Sequence, residues 1–195
     1  MPVVYGPFSL ERMLNAAERV RQRLFRATAA LEAAQVPYAV AGGNAVGLWV
    51  SRIDESAVRN TQDVDILIRR DDLDSARRAM EAAGFVYRHS SGMEIFLDNA
   101  SAKARDAVHI IFANEKVRSH EPAANPDVSE SEPAIHFRVL SLEPLVRIKL
   151  TAFRDKDKVH IRDLIDVGLI DSTWLTRLPE ALAIRLKSLL DTPEG

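Results

Sequence analysis

Residues 39–50 read AVAGGNAVGLWV and residues 59–68 read RNTQDVDILI, and the predicted architecture depends most on these two stretches. In the first, an extended apolar run stops at a Gly-Gly pair, and a helix is predicted over 44–50. In the second, apolar side chains alternate with polar ones, which predicts a strand over 63–68. The order is therefore strand, glycine turn, helix and strand.

Hydrophobic periodicity predicts the remaining elements on either side of these stretches. A first helix, capped by Ser9, is predicted over 10–31 because its apolar residues recur at steps of three and four. Further helices are predicted over 71–83, 144–154, 158–169 and 179–190. Further strands are predicted over 85–88, 94–98, 107–113 and 137–140, the first two joined by the turn Ser90-Ser91-Gly92. The segment 121–134 holds three prolines and four acids, which is typical of a mobile loop.

These elements predict an α+β fold with a mixed β-sheet flanked by helices and a helical C-terminal part. We expect two parts: an α/β core with its N-terminal helix over 1–142, and a helical part over 143–195 that completes a cleft.

The composition excludes several classes of protein. The chain has 26 Lys and Arg against 28 Asp and Glu, a net charge of −2, which argues against a broad nucleic-acid-coating surface. Because the chain has no cysteine, it has no disulfide framework, thiolate nucleophile or Cys-ligated metal. No apolar run approaches the length of a membrane span, and the first residues lack the pattern of a signal peptide. We therefore expect a cytoplasmic protein with no membrane partner.

The glycine turn is a candidate phosphate site. Gly42 and Gly43 allow a ligand to approach the backbone closely, and the helix that opens at Asn44 presents free N–H groups that favour phosphate. Taken alone, such a turn is also explained as an ordinary connection between two elements that binds no ligand.

Two carboxylates on one strand form a candidate metal site. Asp63 and Asp65 lie on the same face because strand side chains alternate. Their like charges repel, and a divalent cation would offset that repulsion. Taken alone, the pair is also explained as the solvated start of a strand.

Basic residues of the C-terminal helices are further candidates. Lys149 lies in an otherwise apolar helix face, so its amine either turns inward toward an anion or reaches the surface with its stem on the core. Arg154 and Arg162 follow it. Ion pairs with Asp163 and Asp166 also account for the charges of this region.

As an ordered set, these motifs resemble the minimal nucleotidyltransferase superfamily. The strand, Gly-Gly turn, helix and DxD strand match its signature. The run KLTAFRDKDKVHIRDLIDV at 149–167 is similar to the helices of AbiEii-type toxin nucleotidyltransferases, and the first two motifs are also similar to antibiotic adenylyltransferases. The resemblance covers roughly residues 36–170.

The resemblance implies a nucleotidyltransferase-like sheet and transfer of a nucleoside monophosphate (NMP) from an NTP to an acceptor hydroxyl of a small molecule, a tRNA or a protein. It implies Mg²⁺ or Mn²⁺ held by Asp63 and Asp65, and a cognate antitoxin-like protein as partner. The implied catalytic residues are Asp63, Asp65, His109 and Lys149. The implied nucleotide-binding residues are Gly42, Gly43, Asn44, Lys149, Arg154 and Arg162.

One position departs from the family pattern. The family carries a third carboxylate on a neighbouring strand, where this chain has His109. A neutral imidazole there is either a general base or a poorer ligand for Mg²⁺. Asp98 or Asp106 supplies the carboxylate instead if the strands align differently. The alternative function is therefore a non-catalytic or weakly active nucleotide-binding member of the same fold.

Overall fold

The computed structural model describes residues 10–90, 92–102 and 106–192. Its α-helices are α1 (Leu10–Ala33), α2 (Gly42–Ser51), α3 (Leu73–Ala82), α4 (Leu142–Ala152), α5 (Asp155–Asp166) and α6 (Glu180–Leu190). Its strands are β1 (Tyr38–Ala41), β2 (Val64–Ile68), β3 (Val86–Ser90), β4 (Met93–Leu97), β5 (Ala107–Phe112), β6 (Ser131–Pro133) and β7 (Arg138–Leu140). Ser9, the predicted cap of α1, and Ser91, in the predicted hairpin turn, lie outside the described residues.

A mixed sheet of seven strands, in the order β3-β4-β5-β2-β1-β7-β6, forms the centre of the fold. Strand β2 is antiparallel to β1 and parallel to β5. A parallel pair requires a long crossover connection, and α3 with the β3–β4 hairpin provides it between β2 and β5. In this register Asp65 lies between Ala41 of β1 and His109 of β5. The sheet therefore places the DxD strand directly beside the histidine.

Helices cover both faces of the sheet. Helices α1 and α3 pack on one face, around the fully buried side chains of Ile66 and Phe96. Helices α2, α4, α5 and α6 share the core on the other face, which includes Leu67 and Leu140. Burying one such side chain contributes about 1.5–3 kcal/mol. The predicted α+β class, with a mixed sheet flanked by helices, is confirmed.

The C-terminal helices pack against α2, which touches both α4 and α5. The division into 1–142 and 143–195 stays a prediction. Among the described residues, no helix combines the length and the apolar character needed to cross a membrane.

Three predictions differ most from the structure. The helix predicted over 158–169 is α5, which begins and ends three residues earlier, at Asp155 and Asp166. Helix α2 begins at Gly42, two residues before the predicted start, because Gly42 has a φ of +64° and turns the chain directly from β1 into the helix. The segment 121–134 is packed, not mobile: Val128 is buried, and the Asn125 amide donates a hydrogen bond of 3.0 Å to the carbonyl of Phe112. Its last residues form β6, so polar composition here reflects partnered side chains and not disorder.

Candidate active site

The turn between β1 and α2 lies against the carboxylates of the DxD motif. A Cβ atom at Gly42 would lie 1.9 Å from Oδ2 of Asp65, and one at Gly43 would lie 2.8 Å from Oγ1 of Thr61. Only glycine, which has no Cβ atom, fits at these two positions. The Asn44 side-chain amide donates a hydrogen bond of 2.9 Å to the backbone carbonyl of Asp63, so Asn44 fixes the start of β2.

Gly42→Ala is expected to destabilise the fold more than Gly84→Ala. Both glycines have positive φ, and an alanine there costs about 1–2 kcal/mol, but a Cβ at Gly84 meets nothing within 4 Å. At Gly42 the added Cβ must also displace the Asp65 carboxylate. Urea denaturation of both variants measures the difference. Equal losses of stability would contradict the close approach of this turn to Asp65.

Asp63, Asp65 and His109 form a compact group of potential metal ligands. One donor atom from each lies within 4.8 Å of the others. Nδ1 of His109 is 3.6 Å from Oδ1 of Asp65 and 3.8 Å from Oδ2 of Asp63. These distances are too long for hydrogen bonds. Two donors that bind one ion at about 2.1 Å lie at most about 4.2 Å apart, so both separations suit a shared cation.

The surroundings of Asp63 keep it ionised. Burial, the largest single effect, disfavours the charged form. The hydroxyl of Thr61, which donates a hydrogen bond of 2.8 Å to Oδ1, and the ammonium of Lys156, 3.5 Å from Oδ2, outweigh it and hold the pKa of Asp63 below its usual value. Asp63 is therefore a carboxylate over the physiological pH range, as a metal ligand must be.

A buried ion pair joins α4 to α5 beside this group. Nζ of Lys149 lies 3.2 Å from Oδ1 of Asp157, and the two side chains are only 5% and 1% exposed. Burial is the largest effect on both: it lowers the pKa of Lys149, whereas for Asp157 the contacts with Arg154 and Lys149 outweigh burial and keep the pKa low. Nε of Arg154 donates a hydrogen bond of 2.7 Å to Oδ2 of Asp157. Lys149 and Arg154 are thus held next to the carboxylates.

A cleft of about 360 Å³ connects these groups, within the usual range for a small-molecule site. The carboxylates, His109 and the cations line one part of it. The cleft also extends to apolar side chains of the β4–β5 region, among them Met93, Ile111 and Val117. It therefore offers charged and apolar surfaces to a single ligand.

Comparison with known families decides the assignment. The family model for the nucleotidyl transferase AbiEii toxin, of type IV toxin–antitoxin systems, matches residues 23–191. The chain belongs to this AbiEii family. The predicted resemblance to AbiEii nucleotidyltransferases is confirmed. No curated protein matches the sequence.

The fold of one solved structure agrees with the AbiEii assignment. The antibiotic-resistance factor ANT(2'')-Ia is 14% identical, with 91% of this chain and 92% of that chain covered and a TM-score of 0.53. JHP933 from Helicobacter pylori is 18% identical, with 94% of this chain and 75% of that chain covered and a TM-score of 0.47. The nucleotidyltransferase-like fold is confirmed.

Most of the predicted site residues of this AbiEii family member meet in the cleft. Those that line it are Gly42, Asp63, Asp65, His109, Lys149 and Arg154. Asp98 is not part of the metal-ligand group, because its carboxylate accepts a hydrogen bond of 2.7 Å from Nε of Arg23. Asp106 does not belong to that group either. Among the described residues, His109 is the one that completes the group.

Arg162 lies apart from the other predicted site residues. Nη2 of Arg162 donates a hydrogen bond of 3.3 Å to the carbonyl of Thr192, beyond the end of α6, and Arg162 does not line the cleft. Five residues after Asp157, it is rotated about 140° around the helix axis. Its role in nucleotide binding stays a prediction, and this position does not support it.

Asp157 and Lys156 are site residues that sequence reasoning missed. In the sequence they belong to a run of alternating charges, DKDK at 155–158, which is typical of a solvated helix surface. The sequence did hold one signal, which is that Asp157 lies three residues after Arg154, the spacing of an N-terminal capping box. In the structure its carboxylate accepts a hydrogen bond of 3.2 Å from the Arg154 backbone N–H.

His160, one turn after Lys156, gives a pH-dependent prediction. Burial and then repulsion from Lys149 lower the pKa of His160 from 6.5 to about 4. Between these values the unfolded chain binds more protons than the folded one, so stability falls as the pH falls through that window, by at most about 1.4 kcal/mol per pH unit. Relative to His160→Gln, the wild type is expected to lose stability between about pH 6.5 and pH 4.5 in urea denaturation. A stability difference that stays constant with pH would contradict this.

Proposed function

We propose that this chain transfers an NMP from an NTP to an acceptor hydroxyl, in a reaction that requires a divalent metal ion. The observation that supports this most is the group Asp63, Asp65 and His109 at a cleft that Lys149 and Arg154 also line. Two carboxylates beside several cations suit a metal-bound triphosphate, since the metal and the cations together neutralise its charge.

Each residue has a role in this proposal. Asp63 and Asp65 would hold Mg²⁺ or Mn²⁺, which when bound neutralises phosphate charge and positions the reacting groups. Gly42 and Gly43 let the start of α2 approach the aspartates closely, and the free N–H groups there would bind the phosphates. Lys149 would place its buried ammonium next to the triphosphate.

The chemistry is an in-line displacement. A bond forms between the acceptor oxygen and the α-phosphorus, and the bond from the α-phosphorus to the bridging oxygen breaks. Pyrophosphate leaves with that electron pair, and the hydroxyl proton passes to a base or to solvent. Arg154 and Lys156, at the more exposed side of the site, would bind the departing pyrophosphate through charge-assisted hydrogen bonds.

A second candidate function follows from His109. Where the family has a third carboxylate, this chain has an imidazole, and the outcome would be a member that binds nucleotide and transfers it slowly or not at all. In either case we propose a cognate antitoxin-like protein as partner, on the strength of the family assignment.

The test uses each of the four NTPs labelled at the α-phosphate, with Mg²⁺ or Mn²⁺ present. The acceptors are an aminoglycoside, bulk tRNA and the protein itself. We expect labelled product from the wild type and none from the Asp63→Ala/Asp65→Ala double variant. Equal labelling by both proteins would contradict the role of the two aspartates.

Binding measurements separate the two candidates. NTP binding seen by calorimetry without any labelled product would favour the second candidate. An NTP at a hundredfold over its Kd stabilises the fold by about 2.7 kcal/mol, which a thermal shift detects. Absence of any shift with all four NTPs and metal would contradict both candidates.

A further inference from the structure

We infer that the metal site of this chain selects a first-row transition-metal dication such as Mn²⁺ over Mg²⁺, with His109 as a nitrogen ligand. The inference rests on the metal site of the proposed function and deepens it. It assigns His109 to metal binding rather than to proton transfer.

Strand register places His109 for this role. Strands β2 and β5 are parallel, and Asp65 and His109 are direct partners across them, so both side chains leave the same face of the sheet. On its other side His109 faces Ile95 of β4, whose side chain is buried. The imidazole therefore lies on the sheet face that carries Asp65, with Ile95 as its register partner on β4.

Distances indicate a shared ion better than a hydrogen bond. Nδ1 of His109 points toward both aspartates, yet stays 3.6 Å from Asp65 and 3.8 Å from Asp63. A hydrogen-bonded pair would lie near 3 Å, whereas two ligands of one ion lie between about 3 and 4 Å apart. Gly42 contributes by making room for the carboxylate of Asp65, since a Cβ there would lie 1.9 Å from Oδ2.

The chemistry of the donor set determines which ion it prefers. Mg²⁺ is a hard ion that takes oxygen ligands and retains its waters. An imidazole nitrogen adds little to Mg²⁺ affinity, but it strengthens binding of the first-row transition metals, least for Mn²⁺ and more for Fe²⁺, Co²⁺, Ni²⁺ and Zn²⁺. Two carboxylates and one imidazole therefore shift the preference away from Mg²⁺. A third carboxylate at the position of His109 would instead favour Mg²⁺.

The experiment measures metal binding by the full chain, without nucleotide or acceptor. Mn²⁺ affinity is read from the loss of the free-ion signal in electron paramagnetic resonance, and Mg²⁺ affinity is read by competition. Pulsed measurements on bound Mn²⁺ detect the ¹⁴N nucleus of a directly ligated imidazole. The variants are His109→Asp and, as the matched control, His120→Asp, which makes the same change at an exposed histidine.

We expect ¹⁴N modulation in the wild type and in His120→Asp, and none in His109→Asp. The preference for Mn²⁺ over Mg²⁺ should fall in His109→Asp by roughly tenfold, the low end of the 10–100-fold that changes around a metal site cost in affinity, because the new carboxylate also binds Mn²⁺. Bound Mn²⁺ without ¹⁴N modulation in the wild type would overturn the inference. So would an unchanged metal preference in a folded His109→Asp variant.

The wild-type spectrum alone decides ligation if His109→Asp does not fold. The outcomes also separate this inference from the proposed function. NMP transfer by a protein that binds Mg²⁺ in preference would overturn the inference and leave the function intact. Imidazole-ligated Mn²⁺ in a protein without transfer activity would support the inference and contradict the proposed NMP transfer.

Discussion

Replacing Asp65 with asparagine is expected to reduce NMP transfer at least about 10²–10³-fold, the loss that follows when one transition-state-stabilising group is removed. Asparagine keeps the shape of the side chain and one oxygen, but it lacks the negative charge that holds a cation. The rate of transfer of α-labelled NMP is the measurement.

Asp71→Asn is the matched control for Asp65→Asn. Asp71 is exposed and does not belong to the metal-ligand group. We expect wild-type transfer from Asp71→Asn and unchanged urea denaturation for it. Transfer by Asp65→Asn at the wild-type rate would mean that the reaction takes place elsewhere on the molecule.

Lys149→Met is expected to destabilise the fold by about 3 kcal/mol, the low end of the 3–5 kcal/mol that breaking a buried ion pair costs. The change leaves the carboxylate of Asp157, which is 1% exposed, without the ammonium that neutralises it. The estimate is at the low end because Arg154 still donates to Asp157. Urea denaturation measures the loss.

Lys158→Met is the control for that prediction. Lys158 also pairs with an aspartate, at 3.0 Å from Asp155, but the two side chains are 33% and 98% exposed. Exposed pairs contribute about 0–1 kcal/mol, so its loss is expected to be small. Equal destabilisation by the two lysine variants would contradict a special role for the buried pair. A Lys149→Met/Asp157→Asn double variant should recover part of the stability, because the amide keeps an oxygen for the Arg154 N–H and leaves no buried charge unpaired.

Local sequence patterns predicted most of the fold and the centre of the site. Alternation alone placed Asp63 and Asp65 on one strand face, and the glycine pair marked the turn that approaches them. His109 was singled out by the family resemblance, which places a third carboxylate on the predicted strand 107–113. The aspartates and the glycine turn depend on neighbours along the chain or on strand alternation, which is why a single sequence predicts them.

Features that depend on distant contacts were not predictable in the same way. Asp157 looked like a surface charge, and only the packing of α5 against α4 buries it beside Lys149. Arg162 belongs to the same motif, but the rotation of α5 directs it toward Thr192. The segment 121–134 looked mobile because its partners, such as Arg69 for Asp127 at 2.8 Å, come from elsewhere in the chain.

Following the phosphorus atoms of the NTP tests the central claim most directly. The wild-type protein is incubated with acceptor, metal and NTP labelled at either the α- or the γ-phosphate. NMP transfer predicts that the α-label joins the acceptor while the γ-label leaves in pyrophosphate. Transfer of the γ-label to the acceptor, or its release as inorganic phosphate, would contradict the proposed reaction.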